Sequence, residues 1–134
     1  GMYCSPRPGP NDCIPIWFGG HYSERLIRRV ATLGDGWLLS SVLGMTLEEK
    51  AQAIATLKDR FSAAGRDPST LEICDEVPAV GGSVARSLEQ VPGLAEIGVT
   101  VVRLHLRRFA SADQAPSVLE EIVRGFEPFR QIEV

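Results

Sequence analysis

The chain has 134 residues, enough for one domain with a hydrophobic core but short for a complete closed-barrel enzyme. Hydrophobic residues make up 44% of it and charged residues 23%, an ordinary composition for a globular protein in water. The formal net charge of −3 argues against a nucleic-acid or membrane-surface partner, because both kinds of partner require a basic surface.

The cysteines and the first residues set the expected compartment and the start of the domain. Cys4, Cys13 and Cys74 are odd in number and lack metal-ligand spacing, so we interpret them as reduced thiols and expect no metal site. Reduced thiols are typical of the cytoplasm, and no signal peptide or membrane-length apolar run is visible. The sequence therefore predicts a cytoplasmic protein. Residues 1–13 are proline-rich without periodicity, which predicts an irregular arm before a single domain over residues 14–134.

A strand, a glycine turn and a helix open this domain. Ile14, Ile16, Trp17 and Phe18 form a short apolar run with β-favouring side chains, and Gly19 and Gly20 end the predicted strand. Ser23 is a candidate N-cap for a helix with apolar residues at helical spacing, and Gly34 suits the left-handed position just past its end. A glycine pair between a strand and a helix exposes backbone N–H groups at the positive end of a helix dipole, so this turn predicts a phosphate site.

The rest of the chain continues the alternation of strands and helices. Further strands are predicted at residues 37–41, 71–77 and 99–106, and helices between Thr46 and Gly65, from Ser87 or Pro92 to Gly98, and from Ser111 or Pro116 to about Pro128. The first of these helices has the clearest signal, a capping box of Thr46 with Glu49. Its expected buried stripe is Leu47, Ala51, Ile54, Leu57 and Phe61.

The resulting order is βαβαβαβα with short connections. Such an order requires parallel strands joined by right-handed crossovers, which defines an α/β fold of four consecutive β/α units. Two architectures fit this order: a small open parallel sheet, and half of an eight-stranded β/α barrel. The periodicity of the sequence does not decide between them.

Three motifs carry a resemblance to a known family. They are Ile-Pro-Ile-Trp-Phe-Gly-Gly from residue 14, Arg-Arg-Val-Ala-Thr-Leu-Gly-Asp-Gly-Trp ending at residue 37, and Ala-Ala-Gly-Arg-Asp-Pro over residues 63–68. In this order and spacing they resemble the bacterial-luciferase-like monooxygenases, in particular the flavin- or deazaflavin-dependent oxidoreductases. The closing segment, Gly-Val-Thr-Val-Val-Arg-Leu from residue 98 and an amphipathic helix, is similar to the last β/α unit of that family. The resemblance covers residues 5–130.

The resemblance implies a fold and a cofactor. The family fold is a (β/α)8 TIM barrel, and the four units of this chain correspond to its C-terminal half. Family members bind FMN or the deazaflavin coenzyme F420 at the C-terminal ends of the strands, where barrel enzymes place their chemistry. By the same resemblance, Gly19, Gly20, His21 and Ser23 form the segment that contacts the cofactor phosphate. The cofactor would perform the hydride transfer or oxygen activation, and the resemblance identifies no catalytic side chain in this chain.

The resemblance is to half a barrel, and this has structural consequences. Half a barrel leaves two open sheet edges and an uncovered inner face, and exposed edges tend to pair. We therefore expect a homodimer in which two copies close one eight-stranded barrel about a two-fold axis. Without the first four strands we expect the chain to be catalytically incomplete alone, with a small-molecule substrate if it is active. The alternatives are a non-catalytic half-barrel binding or assembly module, a truncated remnant, and an unrelated open-sheet protein.

Several polar side chains have both a functional and a structural interpretation. His21 can donate to a phosphate, but an exposed loop histidine is the favoured interpretation. Asp75 and Glu76 end the third predicted strand and could perform acid–base chemistry, although a solvated loop end is favoured. Arg103 and His105 alternate with apolar residues on the fourth strand. They are therefore site candidates if their face lines a barrel, and need buried partners if it faces the helices.

The remaining candidates have mainly structural interpretations. Trp17 and Trp37 lie on adjacent predicted strands and could contact a ring system, but core packing is favoured. The pair at residues 107–108 is most simply an exposed loop, with anion binding as the alternative. Cys74 is interpreted as a small core residue rather than a nucleophile, because nothing near it in the sequence would lower the pKa of its thiol.

Overall fold

The computed structural model of the chain describes residues 14–39 and 44–129. The predicted N-terminal arm lies outside the described residues. So do Cys4, Cys13 and the end of the second predicted strand.

Four strands and five helices lie along the described residues, with one helix after β1, β2 and β4 and two helices between β3 and β4. They are β1 (Trp17–Gly19), α1 (Glu24–Leu33), β2 (Gly36–Leu38), α2 (Leu47–Ala63), β3 (Glu72–Glu76), α3 (Val84–Leu88), α4 (Val91–Glu96), β4 (Val101–Arg103) and α5 (Ala115–Phe126). Short 3-10 turns cover Pro68–Thr70, Leu106–Arg108 and Glu127–Phe129. None of the helices in the described ranges combines the length and the apolar character needed to cross a lipid bilayer.

The four strands form one parallel sheet in the order β1-β2-β3-β4. Spatial order follows chain order and parallel crossovers are right-handed, so the helices lie on one side of the sheet. The sheet is not closed, and β1 and β4 are its edges. The predicted fold class is confirmed: these are four β/α units with parallel strands, forming a partial barrel-like unit.

The side of the sheet that faces the helices carries the hydrophobic core. Phe18 pairs with Trp37, and Trp37 with Ile73, so their side chains lie in one row across three strands. Trp37 and Ile73 are fully buried and Phe18 packs against them at the edge. Core packing of Trp37, the favoured interpretation, is therefore confirmed.

The opposite side of the sheet, which we call the open face, is defined by Trp17, Leu38, Cys74, Glu76 and Arg103. Side chains alternate along a strand, so Cys74 and Glu76 point away from the helices that cover Ile73. The open face corresponds to the inner surface of a closed barrel, and Arg103 is on the face where it was predicted to be a site candidate.

Helix α2 follows its local sequence signals closely. Thr46 is the N-cap, its hydroxyl accepts the Glu49 N–H at 3.2 Å, and the Glu49 carboxylate accepts the Thr46 N–H at 2.7 Å, which confirms the capping box. The buried residues are Ala53, Ile54, Leu57 and Phe61. Leu47, predicted to be buried, is 48% exposed because it lies in the first turn, beyond the edge of the core.

The segment before β4 differs from its predicted start. Ser83, rather than Ser87, is the N-cap of α3, and its hydroxyl accepts the Arg86 N–H at 3.4 Å. Ser87 is buried, where its hydroxyl donates to the Ser83 carbonyl at 2.7 Å and accepts the Val80 N–H at 2.9 Å. Pro92 lies in the first turn of the separate helix α4, as its fixed φ favours.

Gly34 also differs from its predicted conformation. Its φ is −99°, so it is not left-handed, although it does follow the last residue of α1. A Cβ atom at this position would lie 2.8 Å from the Phe18 ring and 3.1 Å from the Val30 Cα. The residue is glycine because strand β1 packs against the end of α1 without room for a side chain.

Candidate functional site

The turn after β1 is built as an open backbone loop. Gly20 has a φ of +141°, a conformation that L side chains rarely adopt, and a Cβ atom placed there would meet nothing within 4 Å. Gly19, Gly20, His21 and Ser23 are all exposed. The structure therefore brings the four residues predicted for a phosphate site together in one accessible segment.

Ser23 completes this segment as the N-cap of α1. Its hydroxyl accepts the Leu26 N–H at 3.3 Å, and its carbonyl accepts the Ile27 N–H at 3.0 Å. By the geometry of a helix start, the N–H groups of Glu24 and Arg25 have no acceptor within the helix. These two groups point out at the positive end of the helix dipole, beside the glycine turn.

A groove continues from the turn to the N-terminal part of α2. It has a volume of about 470 Å³ and is lined by His21, Tyr22, Met45, Glu49, Gln52 and Ala53. The Tyr22 ring is 41% exposed, and its centroid lies 6.0 Å from the centroid of the buried Trp37 ring. The turn is thus connected to a surface that can accommodate more than a phosphate.

Arg66 fixes the other end of α1. Its guanidinium donates to the carbonyls of Val30, Ala31 and Gly34 at the end of α1, of which the Val30 carbonyl also accepts the Gly34 N–H at 3.0 Å. It also pairs with the Asp35 carboxylate at 3.0 Å, and that carboxylate accepts the Ile16 N–H at 2.9 Å. The motif over residues 63–68 therefore connects α1 to the strand before the glycine turn.

The pair Asp75 and Glu76 is buried, so the favoured interpretation as a solvated loop end is wrong. Asp75 faces the helices, where it forms an ion pair with Lys50 of α2 and accepts the Glu76 N–H at 2.8 Å. The Asp75 carboxylate therefore links the start of α2 to the end of β3. We assign Asp75 a structural role, since its partner lies within the helical layer.

Glu76 lies on the open face and is 4% exposed. Three basic side chains surround its carboxylate: Arg108 at 3.1 Å, His105 at 3.4 Å and Arg103 at 3.8 Å. Arg103 and His105 thus share a face, as their alternation predicted. Arg108 was interpreted as part of an exposed loop, and it is half exposed while its guanidinium reaches Glu76. No pattern within the local sequence indicated this contact across 32 residues (108 − 76).

The other residues of the open face have structural contacts. The Trp17 indole donates to the Glu72 carboxylate at 2.9 Å. Cys74 is buried, and this burial raises the pKa of its thiol, although the positive charge of Arg103 acts in the opposite direction. A protonated, buried thiol is a poor nucleophile, which agrees with its interpretation as a core residue.

Comparison with known proteins shows the family of the chain. The sequence model of the luciferase-like monooxygenases matches residues 1–122. The chain belongs to the luciferase-like monooxygenase family. A search of curated proteins finds no match.

Members of the luciferase-like monooxygenase family typically use a flavin-type cofactor, and the glycine turn fits the phosphate end of such a group. Gly20 leaves open space where any other residue would place a Cβ atom, and the N-terminus of α1, with its unpaired N–H groups, follows a few residues later. This is donor chemistry suited to a phosphate oxygen. The match to this family also covers Glu76 and Arg108, which the phosphate site does not use.

Proposed function

We propose that this chain is the C-terminal part of a flavin- or F420-dependent oxidoreductase of the luciferase-like family. The cofactor phosphate would bind at Gly19, Gly20, His21 and Ser23. The observation that carries the proposal is Gly20, with its positive φ and open space at its Cβ position, three residues before the N-cap of α1. FMN and F420 both present a phosphate to such a site, so the proposal holds for either cofactor.

The residues of this chain bind and orient, and the bound cofactor supplies hydride transfer or oxygen activation. Backbone N–H groups at the start of α1 donate to phosphate oxygens, while the Ser23 hydroxyl is occupied as the helix cap. His21 is exposed beside them and adds a further donor. Arg66 holds α1 against the strand and so keeps the turn in place.

We also propose that two copies of the chain close one barrel, with the edge strand β4 of each copy beside β1 of the other. Apolar side chains near both edges support this arrangement. Ile14 and Ile16, just before β1, are 65% and 52% exposed, and Leu119 and Val123 of α5 are 53% and 51% exposed. The contact would be isologous and would cover the open face. A non-catalytic half-barrel that retains only the phosphate site is the alternative.

The experiment that tests the phosphate site compares FMN with riboflavin, which has the same ring system and lacks the phosphate. If the phosphate is held by the turn, the purified chain binds FMN more tightly than riboflavin, measured by quenching of flavin fluorescence. Gly20→Asp introduces a side chain with a negative charge at the turn. It should abolish the preference for FMN and leave the weak binding of riboflavin unchanged.

Gly65→Asp is the matched control for this substitution. Gly65 also has a positive φ, +77°, and open space at its Cβ position, but it lies at the far end of α2. Both substitutions cost about 1–3 kcal/mol in backbone strain. Only Gly20→Asp should affect FMN. Equal FMN affinity in the wild type and in Gly20→Asp would contradict the assignment of the turn. An equal loss of FMN affinity in Gly20→Asp and Gly65→Asp would show that backbone strain alone weakens binding.

A further inference from the structure

We propose that the cluster of Arg103, His105 and Arg108 around Glu76 binds an oxyanion of the substrate, a carboxylate or a phosphate group. We call it the Glu76 cluster. The proposal rests on the proposed function, because it assigns a substrate class to an enzyme that holds its cofactor at the glycine turn. It uses residues that the phosphate site leaves without a role.

The charges of the Glu76 cluster do not balance. Among the described residues, a single buried carboxylate pairs with these two guanidinium groups, and His105 adds a third positive charge when it is protonated. Glu76 therefore gathers the basic side chains at one place and leaves an excess of positive charge there. Asp75, the neighbouring carboxylate, does not compensate for it, because it points to the opposite side of the sheet and pairs with Lys50.

The donors of the Glu76 cluster are also incompletely used. Arg103 Nε is buried and meets no hydrogen-bond acceptor among the described residues. The side chains of Arg103, His105 and Arg108 are 34%, 47% and 51% exposed, so an incoming group can reach them. Two guanidinium groups held by a common carboxylate form a preorganised receptor, because planar guanidinium donors match the two oxygens of a carboxylate or phosphate.

The position of the Glu76 cluster separates it from the cofactor phosphate. It lies at the C-terminal ends of β3 and β4 on the open face, where barrel enzymes bind their substrates. The glycine turn follows β1, which is two strand spacings from β3 and three from β4, or roughly 10–14 Å along the sheet. A phosphate group held at the turn therefore does not reach the cluster, and we assign the second oxyanion to the substrate.

The test follows the ring resonances of His105 by NMR while inorganic phosphate or succinate is added to the intact chain at constant ionic strength. His105 is one of two histidines, so His105→Gln assigns its signals. We expect a saturable shift with at least one of the two anions, and their relative affinity identifies the phosphate or carboxylate class. Arg103→Gln or Arg108→Gln should weaken the binding by about tenfold or more, the value of one charge-assisted hydrogen bond.

Two controls separate this site from general electrostatics and from the glycine turn. Arg124→Gln removes the same charge from the exposed side of α5 and should change the affinity by less than about twofold. Gly20→Asp should leave the His105 response intact even if the phosphate site fails its own test. A shift that does not saturate with either anion, an equal loss in Arg124→Gln, or a loss in Gly20→Asp would overturn the proposal. Arg108→Gln keeps the test valid if Arg103→Gln does not fold, because Arg108 is half exposed.

Discussion

Arg66 is the side chain whose contacts join the most distant parts of the N-terminal half. Its guanidinium caps three carbonyls at the end of α1, pairs with Asp35 and lies over the Phe61 ring, with 4.0 Å between its central carbon and the ring centroid. We expect Arg66→Lys to lower the free energy of unfolding by about 2 kcal/mol, because a lysine keeps the charge but cannot donate to these acceptors together. Urea denaturation measures the change.

Arg60→Gln is the control for Arg66→Lys. Arg60 also forms an ion pair, with Glu24 at 3.4 Å, but both side chains are more than half exposed. Its loss should cost less than about 1 kcal/mol. If Arg66→Lys proves as mild as Arg60→Gln, the capping of α1 by Arg66 contributes little to stability.

For single residues, the sequence predicted the contacts that form between near neighbours in the chain. Ser23 and Thr46 were identified as caps because their partners lie three residues away, at Leu26 and Glu49. The environment of Glu76 could not be predicted in this way. Its burial depends on a loop more than 25 residues later, and only the register of β3 with β4 brings Arg108 to it.

Among the elements, α2 allows the sharpest prediction, because its capping box depends on the charge of Glu49. Hydrogen bonds from Thr46, first from its backbone N–H and then with its side chain, lower the pKa of Glu49. The folded-state pKa is below the unfolded one, so this stabilisation is present above the unfolded pKa and is lost as the pH falls through the folded pKa.

We therefore expect the melting temperature of the wild type to fall below about pH 4, and to fall less steeply in Glu49→Gln. A part of the decrease remains in the variant, because hydrogen bonds also lower the pKa values of Asp67 and Asp113. Glu48→Gln removes a charge from the same helical turn without touching the box, and should retain the wild-type slope. Identical slopes in all three proteins would show that the box does not depend on the charge of Glu49.

The boundaries of the strands were harder to predict than their existence. Each expected strand is present, but β4 ends at Arg103 rather than near residue 106, because the chain enters a 3-10 turn at Leu106–Arg108. The apolar residues before and after Arg103 have the same spacing in the sequence, and both Val102 and Leu104 pack against the core. Where a parallel strand stops depends on how far its neighbour continues, and β3 ends at Glu76, the register partner of Arg103.

For the whole molecule, the proposed barrel closure predicts the mass in solution. Native mass spectrometry or light scattering at micromolar concentration should give twice the mass of one chain. Val123→Glu places a charge on the exposed apolar side of α5 and should shift the equilibrium towards the monomer. Leu47→Glu is the control, because Leu47 is equally exposed but lies on α2, between the two edges. A wild-type monomer would contradict the dimer, and equal dissociation by both variants would place the contact elsewhere.

The order of the strands also bears on how the chain reaches its fold. Each strand pairs only with strands that are neighbours in the sequence, so every pairing closes a loop no longer than one β/α unit. Short sequence separations of this kind favour fast folding. During synthesis each unit can dock on the one made before it, without waiting for the rest of the chain. The sheet can therefore grow from the N-terminus one unit at a time, and its last strand is left with an edge ready to receive a neighbour.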